Sequence, residues 1–251
     1  MFGSMRGEIF DSELDPSVTN ATTNANLTIF MRVFLERVEP RPGTSMGVQD
    51  SDGNSFELLP WGDGRWNRFI GRFQNECQRF WSGRFWLYTP ERVQDLDWPQ
   101  WAPTHRPNVY CRYRLSVTPN AAAAHHAVQC VHVNQQATGF RSHATLWSSR
   151  DLRPEALVPG ARFRTHLHEV GHLLGLEHSA DNRGECIDAG RNSNPCYGVT
   201  RPEQLEVMGQ GDRVREWNAT PWRKAIARHT DTYETEWVVS MTRIAPQGIE
   251  S

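Results

Sequence analysis

The sequence predicts a protein of the α/β (α+β) class, with helices packed on a mixed β-sheet. Three observations support this fold class. Short segments rich in β-branched and aromatic residues recur between Pro, Asn and Gly, as is typical of strands. One long segment carries apolar residues at three-and-four spacing, as on an amphipathic helix. A second helical segment, near residue 170, is apolar but holds several titratable side chains.

The first fifty residues contain a polar segment, a strand and a turn. Residues 1–26 are rich in Thr, Asn and Ser, so we expect a polar N-terminal arm that is mobile or wraps the rest. Residues 27–38, LTIFMRVFLERV, suit a central strand that ends before Pro40. Residues 48–54, VQDSDGN, indicate a turn. Their acidic side chains would also suit a calcium loop, but the spacing of a helix-loop-helix calcium site is absent.

An amphipathic helix and four more strands follow. The apolar stripe of this helix is most simply core, and an aromatic carbohydrate-binding face is the alternative. The stripe consists of Trp66, Phe69, Ile70, Phe73, Cys77, Phe80 and Trp81. We predict the strands at 84–89, 109–117, 127–133 and 143–149, separated mainly by Pro, Asn and Gly.

The charge and hydropathy patterns argue against a nucleic acid partner and against a membrane span. The chain has 27 Lys and Arg against 29 Asp and Glu, a formal net charge of −2. No run of like charge could form a strip for phosphates, so we expect no nucleic acid partner. No apolar run reaches the roughly 18 to 20 residues of a membrane-spanning helix. The start lacks the pattern of a secretory signal, so we expect a protein that is cytoplasmic or exported by a leaderless, specialised route.

The strongest signal in the sequence is HLHEVGHLLGLEH at 166–178. On a helix, His168 and His172 lie on the same face and can bind one ion. Gly175 can take positive φ, end the helix and turn the chain so that His178 returns as a third ligand. Three neutral imidazoles leave a tetrahedral zinc ion one open position, as in catalytic sites. Glu169 stands beside the first ligand and can act as a general base toward a zinc-bound water.

This motif has a chance probability on the order of 10⁻⁴, given ordinary residue frequencies. His166 lies about 200° round the helix from His168, so we do not count it as a ligand. We expect Glu177 to be a solvent-exposed neighbour of His178 and not a fourth ligand of the metal.

HEVGHLLGLEH, at 168–178, resembles the zinc-binding signature of the metzincin clan of metalloproteases. The resemblance implies a methionine turn, for which LEVMGQG at 205–211 supplies Met208, and a last helix, for which 220–230 is suited. It also implies a mostly parallel twisted sheet in a single catalytic domain at 27–251. The active-site helix would divide this domain into an N-terminal subdomain, 27–175, and a small irregular C-terminal one, 176–251. Ser179, after the third histidine, matches the matrixin branch of the clan. However, the 29 residues between His178 and Met208 are more than that branch usually has, so we assign no subfamily.

Two further expectations depend on this resemblance. Some branches have a tyrosine two residues after the methionine, where this chain has Gln210; Tyr197, His229 and Tyr233 are the candidate substitutes. The clan holds an extended peptide against an exposed edge strand, which would here be 127–133. The substrate-binding residues would then be Val128, Cys130 and His132. The alternative is an internal strand paired on both sides.

The five cysteines are odd in number, so at least one is free. Cys186 and Cys196 either form a disulfide across a Gly- and Asn-rich loop or remain two free thiols. Cys111 and Cys130 are poorer candidates, because the strand order that the resemblance implies places another strand between them.

These residues predict a zinc-dependent endopeptidase acting on proteins or peptides. One alternative is a zinc amidase or endopeptidase that cleaves cell-wall peptide as a secreted bacterial effector or toxin, with a delivery apparatus or an inhibitor protein as partner. The other is a non-catalytic zinc-containing binding module, which the presence of Glu169 argues against. The sequence leaves substrate specificity and oligomeric state open.

Overall fold

The structure is a computed structural model that describes residues 3–15, 25–41, 46–89, 108–134, 139–190 and 193–241. It has the mixed α+β architecture that the sequence predicts. Its strands are β1 (Gly3–Met5), β2 (Asp11–Asp15), β3 (Ala25–Val38), β4 (Gly47–Gln49), β5 (Ser55–Glu57), β6 (Trp86–Tyr88), β7 (Asn108–Val117), β8 (His126–Val131), β9 (Leu146–Ser148) and β10 (Val238–Ser240). Its helices are α1 (Asp63–Trp81), α2 (Thr165–Leu173), α3 (Gly184–Ala189), α4 (Arg201–Gln204) and α5 (Thr220–Thr230).

The chain forms two compact units, each built from separate stretches of sequence. Unit 1 consists of Met1–Met31, Gln78–Leu115 and Val214–Ser251, and unit 2 of Arg32–Cys77 and Ser116–Arg213. These bounds differ from the predicted division at residue 175. The difference arises because β3, α1 and β7 each pass from one unit to the other, which a division at one point of the chain cannot represent.

Unit 1 is built on antiparallel strand pairs. The pairs β1–β2, β2–β3, β6–β7 and β6–β10 are all antiparallel, so the prediction of a mostly parallel sheet is wrong for this unit. The predicted last helix is confirmed as α5. Its fully buried Trp222 lies 5.3 Å, centroid to centroid, from Phe85 and donates its indole N–H to the carbonyl of Arg112.

The N-terminal segment belongs to the sheet of unit 1 rather than to a separate arm. Ser12 and Leu14 of β2 are buried, while the acidic residues that alternate with them, Asp11, Glu13 and Asp15, are half-buried. This alternation is the pattern of a strand with one face on a core. Of the two alternatives, β1 and β2 fit a segment that packs on the rest of the chain and not a mobile one; residues 16–24 lie outside the described part of the chain.

Unit 2 contains the parallel strand pairs and most of α1. β3 pairs with β8, and β8 with β9, both in parallel. The apolar stripe of α1 is confirmed as core, since Phe69 and Phe73 are buried and Phe73 lies 4.9 Å from the ring of Trp147. β4 and β5 form a hairpin. No helix in the described ranges is long and apolar enough to cross a membrane.

The hairpin turn confirms the simpler of the two interpretations of 48–54. The Asp50 carboxylate accepts hydrogen bonds from the backbone N–H groups of Asp52, Asn54 and Arg141. These bonds hold the pKa of Asp50 below its ordinary value although burial opposes them. The Asp50 carboxylate therefore stabilises the backbone of the turn.

Candidate metal centre

Helix α2 and the turn after it bring three histidines together in unit 2. The helix ends at Leu173, and Gly175 follows with φ of 84°, a conformation that side chains disfavour. Gly175 N–H donates to the carbonyl of His172 over 2.9 Å, and Leu176 N–H donates to that of Gly171 over 3.0 Å. These bonds close the helix end and turn the chain back, as the sequence predicts.

The three imidazoles meet at their Nε2 atoms. His172 Nε2 lies 3.1 Å from His168 Nε2 and 3.1 Å from His178 Nε2. His168 and His178 are buried, and His172 is partly buried. The three residues form a group that can hold a metal ion.

The second nitrogen of each ring is directed to a fixed partner. His168 Nδ1 lies 2.8 Å from the carbonyl oxygen of Val207, and His172 Nδ1 lies 2.9 Å from that of Leu176. A carbonyl only accepts, so both Nδ1 atoms carry the proton and both Nε2 lone pairs face the cluster. His178 Nδ1 lies 3.8 Å from Asp181 Oδ1. Such outer partners orient metal-binding histidines.

Burial keeps these imidazoles neutral. It lowers the pKa of His168 well below the ordinary value and lowers that of His178 to about 4; the neighbouring imidazoles add to both shifts. Burial also lowers the pKa of His172. Neutral imidazoles with converging lone pairs repel one another unless a cation lies between them, so the donor set fits a metal ion.

No protein-family model, curated protein or solved structure matches this chain. The assignment of the metal centre therefore rests on the geometry of its own residues.

Glu169 follows the first histidine and faces a cavity. Its Oε2 atom is buried and has no hydrogen-bond partner among the described residues. The side chain lines a cavity of about 290 Å³ together with His168 and Tyr197. Burial, and after it the charge of Asp151, raises the pKa of Glu169 to about 8. An orphaned carboxyl of this kind is suited to exchange a proton with a molecule in the cavity.

The predicted methionine turn lies against the cluster through its backbone. Val207 supplies the carbonyl that binds His168, and the carbonyl of Met208 accepts the N–H of Ser179, next to His178. Met208 is fully buried. A side chain at Gly209 would collide with the carbonyl oxygens of Glu203 and Tyr197, so this turn requires a glycine there.

Of the three candidate substitutes for the missing tyrosine, Tyr197 lies at the cluster. Its ring centroid is 4.2 Å from that of His178 and 5.6 Å from that of His168. In unit 1, His229 is buried and lies 3.1 Å from Ser12 Oγ, and Tyr233 is exposed. Neither of these two lines the cavity.

The three predicted substrate-binding residues lie elsewhere. Val128, Cys130 and His132 are buried, and none lines the cavity beside the cluster. His132 contacts Arg65 and the carbonyl of Pro60. β8 is paired with β3 on one side and with β9 on the other. The prediction of an exposed edge strand at 127–133 is wrong, because the next predicted strand pairs alongside it.

A loop after β9 supplies cavity residues that no motif marked. The buried Asp151 carboxylate accepts bonds from Ser142 Oγ over 2.6 Å and from Ser148 Oγ over 2.7 Å. The backbone carbonyl oxygen of Asp151 lies 2.8 Å from His166 Nδ1, and this contact connects the loop to α2. His166 thus lies outside the histidine cluster, as predicted. The polar run Ser-Ser-Arg-Asp at 148–151, directly after a strand, is the signal that could have indicated this loop.

The disulfide between Cys186 and Cys196 is present. Their Cα atoms are 4.6 Å apart, and the bond joins α3 to the 3-10 helix Asn194–Tyr197. Cys77, Cys111 and Cys130 are buried and free. The disulfide therefore fastens the segment that carries Tyr197.

Proposed function

We propose that the protein is a zinc-dependent endopeptidase in which His168, His172 and His178 hold the metal and Glu169 is the general base. The observation that carries this proposal is the convergence of three Nε2 atoms beside a buried carboxyl with an unpaired oxygen. The resemblance of 168–178 to the metzincin signature supports the same assignment.

The separations of the nitrogen atoms suit a tetrahedral ion such as zinc. A tetrahedral zinc ion with Zn–N distances of about 2.0 to 2.1 Å places its ligand nitrogens about 3.3 Å apart. The two Nε2–Nε2 separations in the structure are 3.1 Å. When bound, zinc would polarise the scissile carbonyl and make a water molecule more acidic.

Glu169 would perform the proton transfers. Its carboxylate takes a proton from the water whose oxygen attacks the peptide carbonyl carbon, and it returns a proton to the leaving amine nitrogen as the C–N bond breaks. The unpaired, buried oxygen of Glu169 faces the cavity in which both steps would take place. Helix α2 carries Glu169 directly after His168, and both side chains line the same cavity.

Cleavage profiling of the zinc-loaded full-length chain would test the proposal. A mixed peptide library and purified peptidoglycan sacculi are incubated with the protein, and the products are identified by mass spectrometry. A metal chelator and re-addition of zinc provide the control. Cleavage of library peptides supports an endopeptidase, and cleavage of sacculi alone selects the cell-wall alternative. Zinc binding without any cleavage would leave the non-catalytic module and overturn the proposal.

A further inference from the structure

The cavity beside the histidine cluster is also lined by an arginine, Arg150, that forms no ion pair among the described residues. Arg150 lines the cavity with Glu169 and His168. Its Nε and Nη1 atoms are buried and have no hydrogen-bond partner among the described residues. Arg150 as a whole is half-buried, but buried N–H groups that have no acceptor raise the free energy of the folded chain. A ligand that supplies an acceptor would recover this cost.

Apart from Glu169 and the histidine cluster, the other charges at the cavity already have protein partners or lie at its exposed rim. Arg141 pairs with Asp52 at 3.0 Å. The Asp151 carboxylate is bonded to two serine hydroxyls and to the N–H of Ser148. Glu155 is exposed. Within the part of the chain that the structure describes, no ion pair joins Arg150 to any of these acids.

We propose that Arg150 binds a carboxylate of the substrate, so that the protein prefers peptides with a carboxylate beside the scissile bond. This inference rests on the proposed peptidase function. The planar guanidinium presents paired N–H donors that match a carboxylate. Because the cavity is shared by Arg150, His168 and Glu169, a group bound there lies next to the reacting atoms.

The size of the cavity agrees with this role. Its volume, about 290 Å³, is near the lower end of the roughly 300 to 1,000 Å³ typical of small-molecule sites. It therefore suits one amino-acid residue better than a large ligand. The carboxylate could belong to an Asp or Glu side chain or to the C-terminus of a peptide, and the same guanidinium would bind either.

Matched peptides would test the inference on the zinc-loaded full-length chain. One pair differs only by Glu against Gln at a position flanking the cleaved bond, and a second pair only by a free against an amidated C-terminus. The kcat/KM ratio within each pair measures the preference and separates the two sources. The variants are Arg150→Gln, Arg150→Lys and the control Arg141→Gln, which removes a cavity cation that already has a partner. Anisotropy of fluorescent versions of the same peptides on the metal-free chain measures binding without turnover.

We expect wild type to favour the acidic member of one pair by about tenfold or more, as for a charge-assisted hydrogen bond. Arg150→Gln should remove this preference, so that the two members of the pair are cleaved with nearly equal kcat/KM. Arg150→Lys should retain part of it, and Arg141→Gln all of it.

The outcomes separate this inference from the proposed function. Hydrolysis by wild type without a preference for carboxylate overturns the inference and leaves the peptidase standing. An Arg150-dependent preference in binding, without hydrolysis by the zinc form, supports the carboxylate site and rejects the peptidase. Failure to bind or cleave any peptide overturns both.

Discussion

His172 is the central member of the histidine cluster. Its Nε2 lies 3.1 Å from the Nε2 atoms of both other histidines, so its removal opens the cluster from the middle. We expect His172→Ala to lose zinc, with affinity falling by at least two orders of magnitude relative to wild type, because two imidazoles cannot replace three. Zinc content after dialysis, measured by inductively coupled plasma mass spectrometry, checks this. His143→Ala, at an exposed histidine of the same unit, should keep the metal. Retention of zinc by His172→Ala would reject the ligand assignment.

Tyr197 packs its ring on His178 at 4.2 Å between centroids. We expect Tyr197→Ala to weaken zinc binding by about tenfold, the lower end of the usual effect of losing a group that orients a ligand. Tyr197→Phe keeps the ring and should bind zinc like wild type. Competition with a chromophoric chelator measures both affinities. Equal affinity in Tyr197→Ala and wild type would show that the ring does not orient His178.

Glu76 of α1 lies beside His166 of α2 and accepts hydrogen bonds from Arg72 of its own helix. Glu76 Oε2 lies 3.2 Å from His166 Nε2, and this contact, followed by that with Arg72, lowers the pKa of Glu76 to about 2 against the opposing effect of burial. The ordinary value is 4.5. Because the folded pKa is the lower one, the carboxylate stabilises the fold above about pH 5, and this contribution is lost as the pH falls toward 2.

We therefore expect Glu76→Gln to lower the free energy of unfolding at pH 7 by on the order of 1 kcal/mol, since water screens a partly exposed carboxylate. The difference from wild type should shrink as the pH falls from 5 to 2. Urea unfolding of the metal-free chain across this range measures it, and removing the metal avoids acid loss of zinc. Glu57→Gln, at an exposed glutamate of β5, is the control. A difference that does not depend on pH would contradict the ion-pair explanation.

The disulfide closes a short loop between α3 and the 3-10 helix that precedes Gly198. The bonded cysteines are 10 positions apart, so the cross-link should contribute about 2 to 3 kcal/mol to folding. We expect the double variant Cys186→Ser, Cys196→Ser to lose this amount in equilibrium unfolding. Intact mass should rise by two daltons when the wild type is reduced, and an unchanged mass would show that no bridge exists. A bridge indicates a working life outside a reducing compartment.

The parts of the structure that the sequence predicts depend on local patterns. The stripe of α1, the positive φ of Gly175 and the convergence of His168, His172 and His178 all follow from spacing within a few turns of chain. The cysteine pair is local as well. The bounds of α5, Thr220–Thr230, match the segment 220–230 that suited a last helix.

The parts that the sequence does not predict depend on distant pairing. The resemblance to the clan placed 127–133 at an edge, and nothing within this segment shows that β9 pairs beside it. β2 was not predicted, because its sequence DSELD contains a single apolar residue, and only Ser12 and Leu14 are buried. Arg150 and Asp151 reach the cavity through a loop whose position depends on the bond between His166 and the Asp151 carbonyl, which joins residues 15 positions apart.

The most direct test of a zinc peptidase in this chain is the turnover and zinc content of Glu169→Gln. Glu169 supplies the buried unpaired oxygen beside the cluster, and Gln keeps its size while removing the base. We expect this variant to bind zinc near-stoichiometrically while kcat falls by about 10² or more, the usual scale for loss of a general base. Glu177→Gln, at an exposed glutamate next to His178, should match wild type in both measurements. Near wild-type hydrolysis by Glu169→Gln would contradict the proposed mechanism.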